Sequence, residues 1–150
     1  MKNVWVSEST LIEKPWGSEK AWTTCGQIFG KVLYIKEGHR TSLKYNKLKN
    51  ETLFVLSGRV LLTYANEKFK THQTFVSTEV QAGGTIHVQS ECPYRLRALE
   101  DSIIIEIGDK AEPNPIRFHD DYDRVLQDAT YNILCLVESA NSSATKLKDT

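Results

Sequence analysis

The 150-residue sequence lacks the features that assign a chain to a membrane or secretory class. It has no run of about eighteen apolar residues, so we expect no membrane-spanning helix. Its opening residues, MKNVWVSEST, contain neither a long apolar core nor a small-residue cleavage site, so we expect no secretory signal. Its 19 basic residues are balanced by 19 acidic residues, and this zero net charge argues against a nucleic-acid partner.

Cysteine is scarce as well. The three cysteines, Cys25, Cys92 and Cys135, are odd in number and far apart, which fits neither a disulfide framework nor a paired zinc motif. We therefore expect reduced, partly buried thiols in a cytoplasmic protein. No two of the four histidines have the spacing of a metal-binding pair; they are His39, His72, His87 and His119.

Helical periodicity is missing from most of the chain, and short β-strand patterns take its place. They are rich in β-branched and aromatic residues and are separated by Gly, Pro, Asn and Asp at about the 8–12-residue spacing of a sandwich or barrel. Residues 102–107, SIIIEI, form a nearly continuous apolar run, which predicts a strand buried on both faces. The nine predicted strands cover residues 21–24, 28–36, 42–46, 52–56, 59–64, 75–80, 85–89, 94–99 and 102–107, and Val4-Trp5-Val6 could add an edge strand.

The C-terminal part of the chain has a different pattern. Apolar residues recur there at intervals close to 3.6, after a cap at Asp120 or Asp121, which predicts a short C-terminal helix. A late strand at residues 133–137 is the alternative, and the polar residues 142–150 predict a loose tail. The residues that carry the periodicity are Val125, Leu126, Ala129, Ile133 and Leu136.

These patterns predict one all-β domain over residues 1–141, followed by the polar tail. A jelly-roll barrel suits a chain of many short strands, because closing the sheets leaves few exposed strand edges. Such a barrel encloses a pocket, which is where a ligand is expected. The sequence contains no glycine-rich phosphate loop, no G-x-G-x-x-G and no G-x-S-x-G element, so the barrel interior is the remaining place for chemistry.

The hairpin at residues 38–58 carries a resemblance to a known family. Gly38, Glu51 and Gly58 resemble the first cupin motif, G-x5-H-x-H-x3,4-E-x6-G, and residues 84–94 resemble the second, G-x5-P-x-G-x2-H-x3-N. The resemblance covers residues 13–124 and implies the cupin double-stranded β-helix. Three further segments are similar to small cupins related to type II mannose-6-phosphate isomerase: Lys14-Pro15-Trp16-Gly17, Arg40-Thr41-Ser42-Leu43 and residues 117–124.

The same resemblance implies a divalent metal that polarises a sugar carbonyl, held by two histidines and a carboxylate of the first motif and a histidine of the second. Neither histidine position of the first motif holds a histidine in this sequence, Asn46 being at one of them, and Tyr94 stands at the histidine position of the second motif. Glu51 keeps the carboxylate position. One carboxylate does not hold a transition metal alone, so we predict neither a metal nor another cofactor.

Glu51 and Tyr94 are also candidate catalytic residues on their own chemistry. Strand alternation puts Tyr94 on an inward face with Leu96 and Ala98, and puts both neighbouring arginines on the other face. Its phenol could donate a hydrogen bond to Glu51 or to a bound hydroxyl, or its ring could fill the space vacated by a metal. Glu51 is either a general base with a raised pKa or a turn carboxylate that is hydrogen-bonded within the hairpin or to water.

The remaining candidate site residues flank the predicted pocket. His87 would meet a ligand or transfer a proton if the polar face that it shares with Gln89 lines the cavity; otherwise it is a satisfied or surface histidine. The hairpin is locally basic through Arg40, Lys44, Lys47 and Lys49 and could hold a phosphate or carboxylate, with Arg40 as the best bidentate partner; the alternative is a solvated basic turn. The predicted ligand-binding residues are therefore Arg40, Lys44, Asn46 and Gln89, of which Lys44 and Asn46 are also the alternative partners of Glu51.

Three functions fit this sequence, because a fold does not by itself fix a function. Since most of the metal-ligand positions are substituted, we rank metal-free binding above metal-dependent isomerisation. The first is a metal-free cupin that binds a small polar ligand, such as a sugar or sugar phosphate, in the barrel. The second is an active sugar-phosphate isomerase that uses Glu51 or His87 as its base, and the third is a structural or regulatory cupin dimer. We also predict no membrane partner, and a homodimer that exchanges the Val4-Trp5-Val6 strand between subunits.

Overall fold

The computed structural model describes residues 2–22, 26–65, 75–109 and 115–122, except for the side chains of residues 118 and 119. These residues form eleven β-strands and no helix, which confirms the all-β prediction. The strands are β1 (Thr10–Lys14), β2 (Gly17–Trp22), β3 (Phe29–Ile35), β4 (Leu43–Tyr45), β5 (Glu51–Ser57), β6 (Arg59–Ala65), β7 (Phe75–Gln81), β8 (Thr85–Val88), β9 (Tyr94–Ala98), β10 (Ser102–Gly108) and β11 (Ile116–His119).

The strands form two antiparallel sheets that face each other as the layers of a jelly roll. The first sheet has the order β1-β2-β3-β10-β5-β8, and the second has the order β11-β4-β9-β6-β7. From β3 onwards the chain changes sheet at every connection except β6 to β7, so most strand pairs join segments that are distant in sequence. The core between the sheets consists of Trp16, Leu33, Ile35, Leu53, Val55, Val60, Leu62, Ile86, Val88, Tyr94, Leu96, Ala98 and Ile104.

Side-chain alternation decides which residues fill this core. In β5, Leu53 and Val55 are fully buried, whereas Phe54 between them is exposed. In β10, Ile104 is fully buried, but Ile107 on the opposite face is 48% exposed. The prediction that residues 102–107 are buried on both faces is therefore wrong, because only the face toward the second sheet is covered.

The N-terminal region differs from its prediction. Val4-Trp5-Val6 forms no strand, and its three side chains are exposed. The first strand begins at Thr10 instead and pairs with β2 in a hairpin. Because β2 is paired on both sides, with β1 and β3, it begins at Gly17, earlier than the strand predicted at residues 21–24. The pairing of β11 with β4 was not predicted either.

Some sequence predictions fall outside the described residues. The C-terminal helix, its alternative strand, the polar tail and Cys135 lie beyond residue 122, and Cys25 and His72 lie in the other gaps. These stay predictions. Cys92 is described and exposed, so the expected partial burial is wrong at this position. No helix in the described ranges is long and apolar enough to cross a membrane.

Gly58 forms the turn between β5 and β6. Its φ of 83° lies in the left-handed region, and a Cβ there would lie 2.4 Å from Ser102 Oγ and 2.5 Å from Asp101 O. We expect Gly58→Ala to lower the free energy of unfolding by about 2 kcal/mol, because alanine adds backbone strain and displaces its neighbours. Urea unfolding followed by circular dichroism measures the loss.

Gly83→Ala is the matched control for this variant. Gly83 has a similar φ of 91°, but nothing lies within 4 Å of a Cβ built on it. We therefore expect a loss of about 1 kcal/mol, which comes from the backbone conformation alone. Equal losses in the two variants would contradict the steric explanation for Gly58.

Candidate functional site

Three polar side chains point into the barrel from different strands. Glu51 is the first residue of β5, Tyr94 is the first residue of β9, and Glu106 lies within β10. Each follows the inward alternation of its own strand, which directs it between the sheets. All three are at most 3% exposed. The predicted inward orientation of Tyr94 is therefore confirmed.

These side chains meet around the ammonium group of Lys49. Tyr94 Oη donates a hydrogen bond of 2.5 Å to Glu51 Oε2. Lys49 Nζ contacts the other carboxylate oxygen, Glu51 Oε1, and lies 3.2 Å from Glu106 Oε1. The same ammonium lies 3.8 Å from the centroid of the Phe29 ring. We refer to Lys49, Glu51, Tyr94 and Glu106 as the Glu51 cluster.

Opposing effects set the protonation of the Glu51 cluster. Burial raises the pKa of Glu51, but the charges of Lys44 and Lys49 and the hydrogen bonds from Lys49 and Tyr94 outweigh it and lower this pKa to about 2. Burial and the negative charge of Glu51 raise the pKa of Glu106. Burial, together with the charges of both glutamates, raises the pKa of the Tyr94 phenol. Glu51 is thus a fixed anion and Tyr94 a fixed proton donor.

The predicted raised pKa of Glu51 is therefore wrong. That prediction considered burial and omitted the two lysines, whose charges favour the ionised carboxylate. A carboxylate with a pKa of about 2 is a weak general base at neutral pH. The alternative partners also differ, since Tyr94 and Lys49 contact the two carboxylate oxygens. Asn46 is buried, and its backbone carbonyl accepts a hydrogen bond of 2.7 Å from the Glu91 N–H.

Lys44 extends from β4 next to Tyr94. The two residues are Cα partners in the β4–β9 pairing, and Lys44 Nζ lies 5.8 Å from the centroid of the Tyr94 ring. Lys44 is half-buried, and burial of its amine lowers its pKa in spite of the opposing charges of Glu51 and Glu106. Lys44 therefore contributes to the charge balance around Glu51, and its role in ligand binding stays a prediction.

Arg40 lies apart from the Glu51 cluster. Its Nη2 donates a hydrogen bond of 2.9 Å to Asp121 Oδ1, and its Nε contacts the other oxygen of this carboxylate. Its backbone N–H donates to Tyr122 Oη at 3.4 Å. Asp121 also lies 3.5 Å from Nη2 of Arg95, a residue that is 2% exposed and donates to the Thr41 carbonyl. Arg40 thus anchors the segment after β11, and its predicted phosphate contact stays a prediction.

His87 lies on the outer face of the first sheet. The residues of β8 that point between the sheets are Ile86 and Val88, whereas His87 is exposed. Its Nδ1 is 3.2 Å from Thr52 Oγ1 on the adjacent strand. A catalytic role for His87 requires the polar face of β8 to line the barrel interior. This face points outward instead, so the requirement is not met. The structure does not bring His87 together with the Glu51 cluster.

A cavity of about 390 Å³ opens between β7 and β8, which are edge strands of the two sheets. Buried apolar side chains of the core form its inner part, and the exposed residues of β8, including His87, border it. Tyr94 belongs both to this lining and to the Glu51 cluster, so it joins the two. The described lining residues are Leu62, Tyr64, Ala65, Thr78, Val80, Thr85, Ile86, His87, Val88, Gln89, Cys92, Pro93 and Tyr94.

The metal implied by the cupin resemblance does not fit the residues around Glu51. The Glu51 cluster offers two carboxylates and a phenol, without the imidazoles that complete such sites. An ammonium group already contacts both carboxylates and supplies the positive charge there. Within the described residues, no group of three or more His, Cys, Asp and Glu is arranged to hold a metal ion. The absence of a bound metal stays a prediction for experiment.

Two members of the Glu51 cluster were not among the sequence candidates. Glu106 is the single charged residue in the apolar run SIIIEI. A charged residue at an inward position of such a run predicts a buried ion that is paired with an opposite charge. Lys49 lies two residues before Glu51, a spacing that puts two side chains on the same face of a strand. The sequence, however, predicts a solvated turn for this segment. The pairing of Arg40 with Asp121 had no local signal, since these residues are 81 positions apart.

Comparison with known proteins gives matches in structure only. No protein-family model matches the sequence, and no curated protein matches it. Oxalate decarboxylase from Bacillus subtilis, in its structure at pH 4.6, aligns with a TM-score of 0.64 and 17% identity over 73% of this chain and 30% of that chain. The capsular polysaccharide assembling protein CapF from Staphylococcus aureus aligns with a TM-score of 0.61 and 15% identity over 73% of this chain and 33% of that chain.

At these identities the likeness concerns the fold alone, and this chain spans about a third of the length of the two proteins. Both have the cupin fold. The narrower resemblance to mannose-6-phosphate isomerases stays a prediction. The two facing antiparallel sheets and these structural matches together make the chain a cupin-fold protein with a jelly-roll barrel.

Proposed function

We propose that this cupin-fold protein binds a small, uncharged, hydroxylated molecule, such as a sugar, in the cavity between β7 and β8, and that binding needs no metal. The proposal rests on Tyr94, which lines the cavity. Its hydroxyl donates a hydrogen bond to the Glu51 carboxylate, and Lys49 contacts the other oxygen of this carboxylate. The positive charge at this carboxylate thus comes from the chain itself.

The cavity has a suitable size and lining for such a ligand. Its volume of about 390 Å³ lies within the range of roughly 300–1,000 Å³ that is typical of small-molecule sites. Leu62, Ile86 and Val88 offer an apolar surface to a ring face, and Thr78 and Gln89 offer hydroxyl and amide groups to ring substituents. A hydroxylated ring presents both kinds of surface.

The charge of the lining favours a neutral ligand over a sugar phosphate. Among the lining residues in the described ranges, none is Asp, Glu, Lys or Arg. The two basic residues among the predicted ligand contacts are not lining residues: Arg40 pairs with Asp121, and Lys44 lies beside the Tyr94 ring. A phosphate group in the cavity would therefore lose water without gaining a described cationic partner.

A sugar-phosphate isomerase is the alternative function, and the positions of its two candidate bases argue against it. Glu51 is enclosed in an ion cluster with its pKa lowered to about 2, and exposed His87 bonds Thr52 on the outer face of the sheet. A carboxylate with this pKa is a weak base at neutral pH, and His87 points away from the barrel interior. We infer a binding function without turnover.

Thermal unfolding with a ligand panel tests the proposal. The probes are mannose, glucose and fructose, the 6-phosphate of each, and EDTA in a parallel series. We expect at least one neutral sugar to stabilise the protein, with or without EDTA, by about 2.7 kcal/mol when its concentration is 100 times its Kd. No stabilisation by any neutral sugar, stabilisation by the phosphates alone, or loss of binding in EDTA would overturn the proposal.

Two tryptophan variants on β7 localise the site. Thr78→Trp puts a large ring into the cavity lining, whereas Gln81→Trp puts the same ring at an exposed position of this strand outside the lining. We expect Thr78→Trp to lose the sugar-induced stabilisation and Gln81→Trp to keep it. If both variants respond like the wild type, the ligand binds elsewhere.

A further inference from the structure

The two outer faces of the barrel differ in chemistry. The second sheet turns charged residues outward, among them Arg59, Glu79 and Arg97 on neighbouring strands. The first sheet turns outward a set of large apolar side chains, which we call the apolar outer face. It consists of Val32, Tyr34, Phe54, Leu56, Ile103, Ile105 and Ile107.

The strand register makes this face continuous. Ile105, at its centre, pairs with Val32 on one side and with Phe54 on the other. Ile103 pairs with Tyr34 in the next row. These side chains therefore lie side by side across the central strands β3, β10 and β5.

The face is exposed to solvent to a degree that is unusual for such residues. Leu56 is 51% exposed, Ile107 48% and Phe54 37%, although β10 and β5 are interior strands of their sheet. Contiguous apolar patches of this kind on a soluble domain mark contact sites. Single exposed apolar residues would not, but here they are adjacent on paired strands.

We propose that a second copy of this chain packs on the apolar outer face, forming a two-fold dimer with the first sheets face to face. The six strands of the first sheet, spaced about 4.8 Å apart and up to seven residues long, cover roughly 25 by 20 Å in projection. The apolar outer face on β3, β10 and β5 would form the apolar centre of this contact, and the outward residues of β1, β2 and β8 would form its rim. This contact replaces the strand exchange predicted at Val4-Trp5-Val6 and is independent of the proposed ligand.

Charge and chain path favour a second copy as the occupant. The formal net charge is zero, and the margin of the face carries both signs, Glu13 and Lys20, so two copies do not repel each other. The last described residue, Tyr122, contacts Arg40 beside the second sheet. Tyr122, at the end of the described ranges, therefore lies away from the apolar outer face.

Sedimentation equilibrium of the full-length chain tests this dimer. We expect the wild type to have twice the chain mass of 17.1 kDa. Ile105→Glu at the centre of the face, and Leu56→Lys at an exposed position that leaves the core intact, should each raise the dimer Kd at least about 30-fold, as expected for an interface hot spot. Circular dichroism verifies that each variant is folded.

Arg97→Glu, an exposed charge reversal on the second sheet, is the matched control and should remain dimeric. A monomeric wild type would overturn the proposal, whether the face is bare or covered by the chain's own C-terminal residues. Dimers that persist in both folded variants of the face, or that dissociate only in Arg97→Glu, would place the contact elsewhere and overturn it too.

Discussion

Lys49→Met is expected to lower the free energy of unfolding by about 3–5 kcal/mol. Among the described residues, Lys49 is the one whose ammonium contacts both Glu51 and Glu106, and all three side chains are nearly inaccessible to water. Methionine has a similar length but no charge, so the carboxylates would remain buried without this partner. Since a domain of this size has a stability of about 5–15 kcal/mol, the variant would approach unfolding at room temperature.

Two further variants separate charge from packing in this experiment. Lys36→Met makes the same chemical change at an exposed position outside the Glu51 cluster and should change the stability by no more than about 0.5 kcal/mol. Adding Glu106→Gln to Lys49→Met removes one of the uncompensated charges and should restore at least about 1 kcal/mol. If this double variant is less stable than Lys49→Met, the loss reflects packing and the electrostatic explanation fails.

The protein is expected to lose about 3 kcal/mol of stability through Glu51 as the pH falls from 4.5 to 2. The folded-state pKa of Glu51 is about 2, below its ordinary value of 4.5. A carboxyl group with a lowered folded pKa stabilises the fold above its unfolded pKa, and this contribution is lost as the pH falls through the folded value. At about 1.4 kcal/mol per pKa unit, the shift corresponds to the stated loss.

The neighbouring titratable groups do not reverse this direction. The raised pKa of Glu106 acts above pH 4.5, where its protonation on acidification favours the folded state. The Tyr94 phenol, whose pKa is raised, keeps its proton in the acid range. The loss below pH 4.5 is therefore assigned to Glu51.

Urea unfolding of the wild type and of Glu51→Gln, repeated between pH 6 and pH 2, measures this contribution. Glutamine does not titrate, so Glu51→Gln should have a flatter pH dependence below pH 4.5. Glu8→Gln, at an exposed position, should follow the wild type. Parallel pH profiles for wild type and Glu51→Gln would refute the lowered pKa.

The strands that could be predicted from sequence are those whose local pattern agrees with their tertiary environment. Residues 28–36, for example, contain β3 almost to the residue, because β-branched and aromatic side chains continue to its ends. Other strands form because a neighbouring strand pairs with them. Examples are β1, which is largely exposed and pairs with β2, and β11, which is only four residues long and pairs with β4. Neither segment has a sequence preference strong enough to predict a strand alone.

The candidate site could be predicted in part for the same reason. Alternation along β9 was sufficient to turn Tyr94 inward toward Glu51, and the hydrogen bond between them was among the stated alternatives. The pKa of Glu51 could not be predicted, because it depends on Lys44 and Lys49, whose ammonium groups were interpreted as parts of a solvated turn. His87 points outward because Ile86 and Val88 occupy the buried, inward face of β8.

We propose that Lys49, and not a metal ion, supplies the positive charge at Glu51. The most direct test is metal binding by the full-length protein, measured by elemental analysis after purification without chelators and by calorimetric titration with Mn²⁺, Ni²⁺ and Zn²⁺. The account predicts no stoichiometric ion at this site and the same residual binding for wild type and Glu51→Gln. One ion per chain that is bound by the wild type and lost in Glu51→Gln would contradict it.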